Sequence, residues 1–123
     1  MSEQKKHISE REVVHAIRLA LGPHLELNVN ILQGTVVTAS GATSKAGLGE
    51  GTPDLVGILP PHGRTFAIEA KAATGRVSPE QVRCHKRWRA AGAFVAVVKA
   101  ATTEEAKQMA LDALARAKQG ASE

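Results

Sequence analysis

The sequence predicts an α/β fold: a mixed central β-sheet flanked by helices on both sides, in the order αβββαβα. Three observations lead there. Helix starts with capping signals recur at Ser9, Ser78 and Thr102. Between the first two lie two apolar runs around a Pro-Pro turn, which read as a hairpin with apolar residues on both faces. A continuous apolar run at 93–99 then follows a helix, as a buried strand does. With 123 residues the chain has the length of one domain, so a single domain over 1–123 is expected, with flexible tails at 1–7 and 119–123.

Each element has its own local cause. Ser9-Glu10-Arg11-Glu12 opens a first helix, 9–21: Ser9 caps it, Glu12 stands at the capping-box position, and Val13, Val14, Ile17 and Leu21 follow at helical spacing until Gly22-Pro23. Residues 25–33 alternate loosely, with Val29, Ile31 and Leu32, and read as a strand. The stretch 34–52 is rich in Gly, Ser and Thr, so most of it is expected as mobile loop, although 35–38 could extend a strand. Runs 54–59 and 64–71 flank Pro60-Pro61-His62-Gly63 and form the hairpin. A turn centred between Pro61 and His62 sets Leu59 against Arg64, Val56 against Ala67 and Asp54 against Glu69. Val56, Ile58 and Ala67 then share one face, with Leu55, Leu59, Phe66 and Ile68 on the other, and both faces require cover. Ser78-Pro79-Glu80-Gln81 combines a cap, a proline at the first helical position and a capping-box glutamine, starting a second helix that runs to Gly92. The strand at 93–99 reads as central. A last helix after Thr102 carries the stripe Ala106, Met109, Ala110, Ala113, Leu114 and Ala117.

Composition narrows the function. Sixteen Lys and Arg against twelve Asp and Glu give a net charge of +4, which favours an anionic partner, nucleic acid first among them. Aromatic residues make up 2%, too few for base-stacking platforms on a sheet. The one cysteine, Cys84, excludes an intramolecular disulfide and a Cys-based zinc site. No apolar stretch approaches the roughly 20 residues of a membrane span, and the start of the chain is polar, so a cytoplasmic location is expected. Neither a Walker loop nor a dinucleotide fingerprint occurs in the glycine-rich stretch Gly47-Leu48-Gly49-Glu50-Gly51.

Chemistry concentrates on the hairpin. Glu69 and Lys71 are two apart on one strand and therefore point to one face, with Asp54 across from Glu69 and its Cβ roughly 5 Å away. Two carboxylates that close repel unless they share a proton or a cation bridges them. Oxygen ligands select Mg²⁺ or Mn²⁺, and the adjacent Lys is placed to orient water.

Gly51-Thr52-Pro53-Asp54, Glu69-Ala70-Lys71 and Thr74-Gly75-Arg76-Val77-Ser78-Pro79-Glu80-Gln81 together resemble the PD-(D/E)xK nuclease superfamily and, within it, the virus-type replication-repair nuclease (VRR-NUC) domain. The resemblance implies a restriction-endonuclease-like core. It further implies that Asp54, Glu69 and the backbone carbonyl of Ala70 ligate the catalytic Mg²⁺ or Mn²⁺, that Lys71 positions the attacking water or stabilises the developing phosphate charge, and that Gln81 completes the site. The family also uses an acid on the first helix, for which Glu10 and Glu12 compete. Glu12 is accounted for by capping, whereas Glu10 lies about 20° from Ile17 on a helical wheel and points along the apolar stripe, so Glu10 is the choice. Two departures stand out: Glu50 replaces a basic residue common before the Gly-x-Pro-Asp step, and Asn28 and Asn30 lack the arginine that often accompanies them.

Arg83, Lys86, Arg87 and Arg89 on the second helix offer phosphate contacts, joined by Arg76 and Lys45; a solvated basic face is the competing reading. Trp88, Cys84 and Ala91 read as core. His7, His15, His24, His62 and His85 show no ligand spacing and read as surface or polar filler, His85 being the one expected nearest DNA. Stand-alone, single-domain members of the resembled family cut branched DNA, notably four-way Holliday junctions. Two symmetric cuts need two sites, so a homodimer is expected, with phage or prophage origin implied by the resemblance. The alternatives are an inactive module that binds branched DNA, or a restriction-type nuclease.

Overall fold

Ser9 starts the first helix, α1 (Glu10–Leu21), by accepting the Glu12 N–H on its Oγ at 3.2 Å. In the computed structural model, which describes residues 7–26, 28–30, 34–37, 39–46 and 51–123, α1 is followed by five strands: β1 (Asn28–Asn30), β2 (Gly34–Val37), β3 (Thr43–Ala46), β4 (Leu55–Leu59) and β5 (Arg64–Ala72). Helix α2 (Pro79–Ala90), strand β6 (Phe94–Ala100) and helix α3 (Thr103–Lys118) complete the chain. The fold class is the expected one. Strands β1, β4, β5 and β6 form one mixed sheet in that order, antiparallel except for the parallel pair β5 and β6.

The hairpin register matches the turn argument at Leu59 opposite Arg64 and Val56 opposite Ala67. Asp54 lies just before β4, so it makes no ladder pair with Glu69. Its Oδ2 instead accepts the Ala70 N–H at 2.8 Å. Within the stretch expected as mobile loop, β2 and β3 pair with each other as an antiparallel ribbon, with Gly41 at positive φ between them. The β-branched run Thr35-Val36-Val37 supplies the strand preference there. Residues 1–6, expected as part of a flexible tail, residues 31–33, expected as the end of a strand, and residues 47–50, including Glu50, lie outside the described residues.

Helices α1 and α3 cover one face of the sheet. Val13, Ile17 and Leu21 meet Leu55, Leu59, Phe66, Ile68 and Ala70 there, together with Ala106, Ala110 and Ala113 of α3, and the rings of Phe66 and Phe94 stack at 5.1 Å. Helix α2 covers the other face, where Ala67, Ala93 and Val95 pack with Val56 and Trp88. That second layer is smaller and leaves Ile58 42% exposed rather than buried.

Strand β6 is not central. It ends the sheet, with β5 inside it, and its apolar run reflects cover from helices on both faces. The Val95 N–H donates to the Ser122 carbonyl at 3.0 Å, and Arg89 on α2 reaches Glu123 at 3.1 Å. Residues 119–123 are therefore tied to β6 and α2 rather than loose, because they satisfy an N–H of the strand that, among the described residues, ends the sheet. Arg64 adds a second tie, donating to the carbonyls of Gly92 and Ala117. Among the described residues no helix is long and apolar enough to cross a membrane.

Candidate active site

The two-residue period of β5 places Glu69 and Lys71 on the α2 face of the sheet, in line with Ala67. Glu69 is 1% exposed. Asp54 is set by the segment before it: Pro53 is fully buried, and Gly51, at φ +83°, lies so close to α2 that a Cβ would come within 2.5 Å of the Glu80 carbonyl oxygen. Only glycine permits that approach and that φ together. The N–H and C=O of one strand residue project to the same side. Hence the Ala70 carbonyl turns toward the side from which Asp54 receives the Ala70 N–H, beyond the start of β4.

Glu10 arrives from the first turn of α1. One carboxylate oxygen from each of Glu10, Asp54 and Glu69 lies within 4.8 Å of the others. Lys71 Nζ stands 3.9 Å from Glu10 Oε1 and 3.9 Å from Glu69 Oε2. Burial, then the hydrogen bond and charge of Glu69, push the Asp54 carboxyl up to about 7, against the opposing pull of the Ala70 N–H and Lys71. Burial likewise raises Glu69. Both carboxyls are thus held above the ordinary carboxylate range, as burial beside a like-charged neighbour requires.

An all-oxygen donor set of this kind suits a hard divalent cation. Ligand oxygens 2.0–2.1 Å from an octahedral ion stand about 3 to 4 Å apart, a spacing that the oxygens of this cluster, within 4.8 Å of one another, approach.

Other residues singled out from the sequence have contacts of their own. Glu12 lines a groove of about 390 Å³ between α1 and α3, beside Arg11, His15, Leu19 and Lys107. Gln81 makes the complete capping box of α2: its Oε1 accepts the Ser78 N–H at 2.8 Å and its own N–H donates to Ser78 Oγ at 3.1 Å. Arg76, Lys86 and Arg87 are exposed. Arg83 is exposed too, 3.4 Å from Glu80 Oε1. Lys45 sits on β3 opposite Thr35. Arg89 does not join the basic face, because its Nε and Nη2 donate to the Val95 carbonyl at 3.1 and 2.8 Å.

The residue that sequence reasoning misplaced is His85. It is 2% exposed, with Nε2 3.6 Å from Glu69 Oε1. Burial, Arg89 and Lys71 all hold the imidazole below its ordinary pKa, which keeps it neutral. Its position one turn after Gln81 on α2 carried the one available signal, since i and i+4 share a helix face. His7, His15, His24 and His62 are exposed.

The family model for the VRR-NUC domain matches residues 3–102, from before α1 to the end of β6. No curated protein matches the chain.

Proposed function

Since the chain belongs to the VRR-NUC domain family, and is thus a nuclease domain of the PD-(D/E)xK type with DNA as its substrate, we propose that it is a Mg²⁺- or Mn²⁺-dependent, structure-selective DNA endonuclease, a Holliday-junction resolvase working as a homodimer. The observation that carries the chemical part is the trio of carboxylate oxygens within 4.8 Å, beside a partly buried lysine. Asp54, Glu69 and the Ala70 carbonyl, with Glu10, would hold the cation. When bound, it supplies Lewis acidity to the phosphodiester and lowers the pKa of water.

The chain's own groups do the rest. As ligands, Asp54 and Glu69 would both be ionised, so the proton that the raised Asp54 carboxyl holds would have to leave. Lys71, its side chain 13% exposed, holds an ammonium where negative charge grows on the phosphate as water attacks in line, and donates a hydrogen bond to that water or to a phosphate oxygen. Gln81 fixes the first turn of α2 through its capping box. Gly51, packed on that turn, in turn fixes the backbone leading to Asp54. Arg76, Arg83, Lys86 and Arg87, with Lys45, would contact phosphates flanking the cut.

The test is cleavage of end-labelled four-way junction, flap and linear duplex DNA with Mg²⁺, Mn²⁺ or EDTA, with Asp54→Ala as control. Paired symmetric nicks confined to the junction, lost with EDTA and in the variant, are expected. Binding without cutting on every substrate would instead identify an inactive branched-DNA-binding module, and cutting of linear duplex at a fixed sequence would identify a restriction-type enzyme. Glu10→Gln should lose cleavage and Glu12→Gln should keep it; the reverse outcome moves the helical acid to Glu12.

A further inference from the structure

Among the described residues, two buried side-chain polar atoms lack a hydrogen-bond partner: Glu69 Oε1 and His85 Nε2. They face each other at 3.6 Å. Buried polar groups are paired in stable proteins almost without exception, and a closure of about half an ångström brings these two to hydrogen-bond length. The other oxygen of Glu69, Oε2, is the one 3.9 Å from Lys71, so the two oxygens have different neighbours: Oε1 faces His85 of α2, and Oε2 faces the lysine that also stands 3.9 Å from Glu10. Glu10 comes to that cluster from the layer on the opposite face of the sheet. His85 is thus the group that α2 sets directly behind Glu69.

From this geometry we infer that His85 is a positioning residue for Glu69: an N–H on His85 Nε2 donates to Glu69 Oε1 and holds the carboxylate so that Oε2 is presented to a divalent cation. This rests on the cation-binding reading of the cluster. Carboxylate ligands are generally held by such outer partners, whose loss weakens metal binding about 10- to 100-fold. The arrangement also accounts for a histidine at this buried point of α2, where an apolar side chain would leave Glu69 Oε1 buried and alone. Three other groups bear on the imidazole: Arg89, whose guanidinium is engaged by Val95 and Glu123, Lys71, and Asp54. Among the described residues, the buried atoms left without a hydrogen bond are these two, Glu69 Oε1 and His85 Nε2.

The experiment measures Mn²⁺ affinity by titration calorimetry, without DNA, for the wild type, His85→Leu and His85→Gln, with thermal melts to establish folding. Leucine fills the space without a donor, and a glutamine amide nitrogen can reach the place of Nε2. His85→Leu is expected to weaken Mn²⁺ binding about 10- to 100-fold and His85→Gln to remain within about threefold of wild type. Equal affinity for His85→Leu and wild type overturns the inference, as does His85→Gln binding as weakly as His85→Leu. If His85→Leu does not fold, ¹⁵N-histidine NMR of the wild type decides: a proton on Nε2, with and without Mg²⁺, supports the contact, and a proton on Nδ1 alone overturns it. Failure of the wild type to bind any divalent cation would overturn the proposed function instead, and the NMR reading of the metal-free protein would still decide the His85 contact.

Discussion

Lys71 lies between two carboxylates, 3.9 Å from each, and is nearly enclosed, so its ammonium is a fixed charge beside the place where a phosphate would react. Removing a preorganised charge of this sort costs about 10²–10³ in rate. Lys71→Ala should therefore lose at least about 100-fold in cleavage, with junction binding in gel shifts changed by less than about threefold, because lysine here acts on developing charge and not on the ground state. Cleavage close to the wild-type rate would take Lys71 out of the mechanism. At Asp54 the raised pKa has a definite sign for stability. The unfolded chain releases this proton above a pH of about 4, whereas the folded protein keeps it up to about 7, so the contribution is favourable below the first value and is lost as pH rises to the second. Asp54→Asn retains an oxygen for the Ala70 N–H and removes the like charge. In EDTA it should melt higher than wild type at pH 8, with little difference at pH 4, and a gap that does not change with pH would contradict the raised pKa of Asp54. Cation affinity of the wild type should climb with pH to about 7 and then level, since the proton must leave as the ion binds.

Helix α2 divides its basic residues between two jobs. Arg83, Lys86 and Arg87 face solvent, while Arg89 turns inward to the Val95 carbonyl and to Glu123. Charge alone gives them equal standing; burial separates them. Arg87→Ala is expected to weaken DNA binding and reduce the salt slope of log K by about one. Arg89→Ala should leave that slope nearly intact and cost about 1.5–3 kcal/mol of stability, because the Val95 carbonyl loses a charged donor and the last residues lose their anchor. Anisotropy titrations across salt and urea unfolding measure the two effects, and a reversal of the pattern would show that Arg89 is free to meet phosphate. The same helix begins against Gly51 and passes behind Glu69, which makes it the element that aligns the site from the side opposite α1.

The whole molecule has one carboxylate cluster among its described residues, and symmetric resolution of a four-way junction requires two. Light scattering at micromolar concentration should accordingly give twice the 12.9 kDa chain mass. A strictly monomeric protein that still nicks DNA would fit a flap or duplex nuclease better than a resolvase. Helix α3, which lies beyond the residues matched by the family model, packs Ala106, Ala110, Ala113 and Ala117 into the larger core. Side chains of that size let it sit close over the sheet on the face away from His85 and Glu69.

What the sequence by itself determined follows from local rules. A two-residue period, a Pro-Pro turn and three capping signals are enough for the hairpin register, the three helices and the spacing that puts Glu69 and Lys71 on one face, and a helical wheel already turns Glu10 toward the sheet. The edge position of β6, the inward turn of Arg89, the pinned C-terminal residues and the burial of His85 against Glu69 each depend on which distant segments meet. No local period encodes them: the same apolar run suits a central strand or a doubly covered edge, and the same histidine suits solvent or a buried carboxylate. Long-range packing of α2 and the chain terminus against β6 and β5 decided those, because burial and pairing are properties of the surfaces brought together and not of the segment that supplies them.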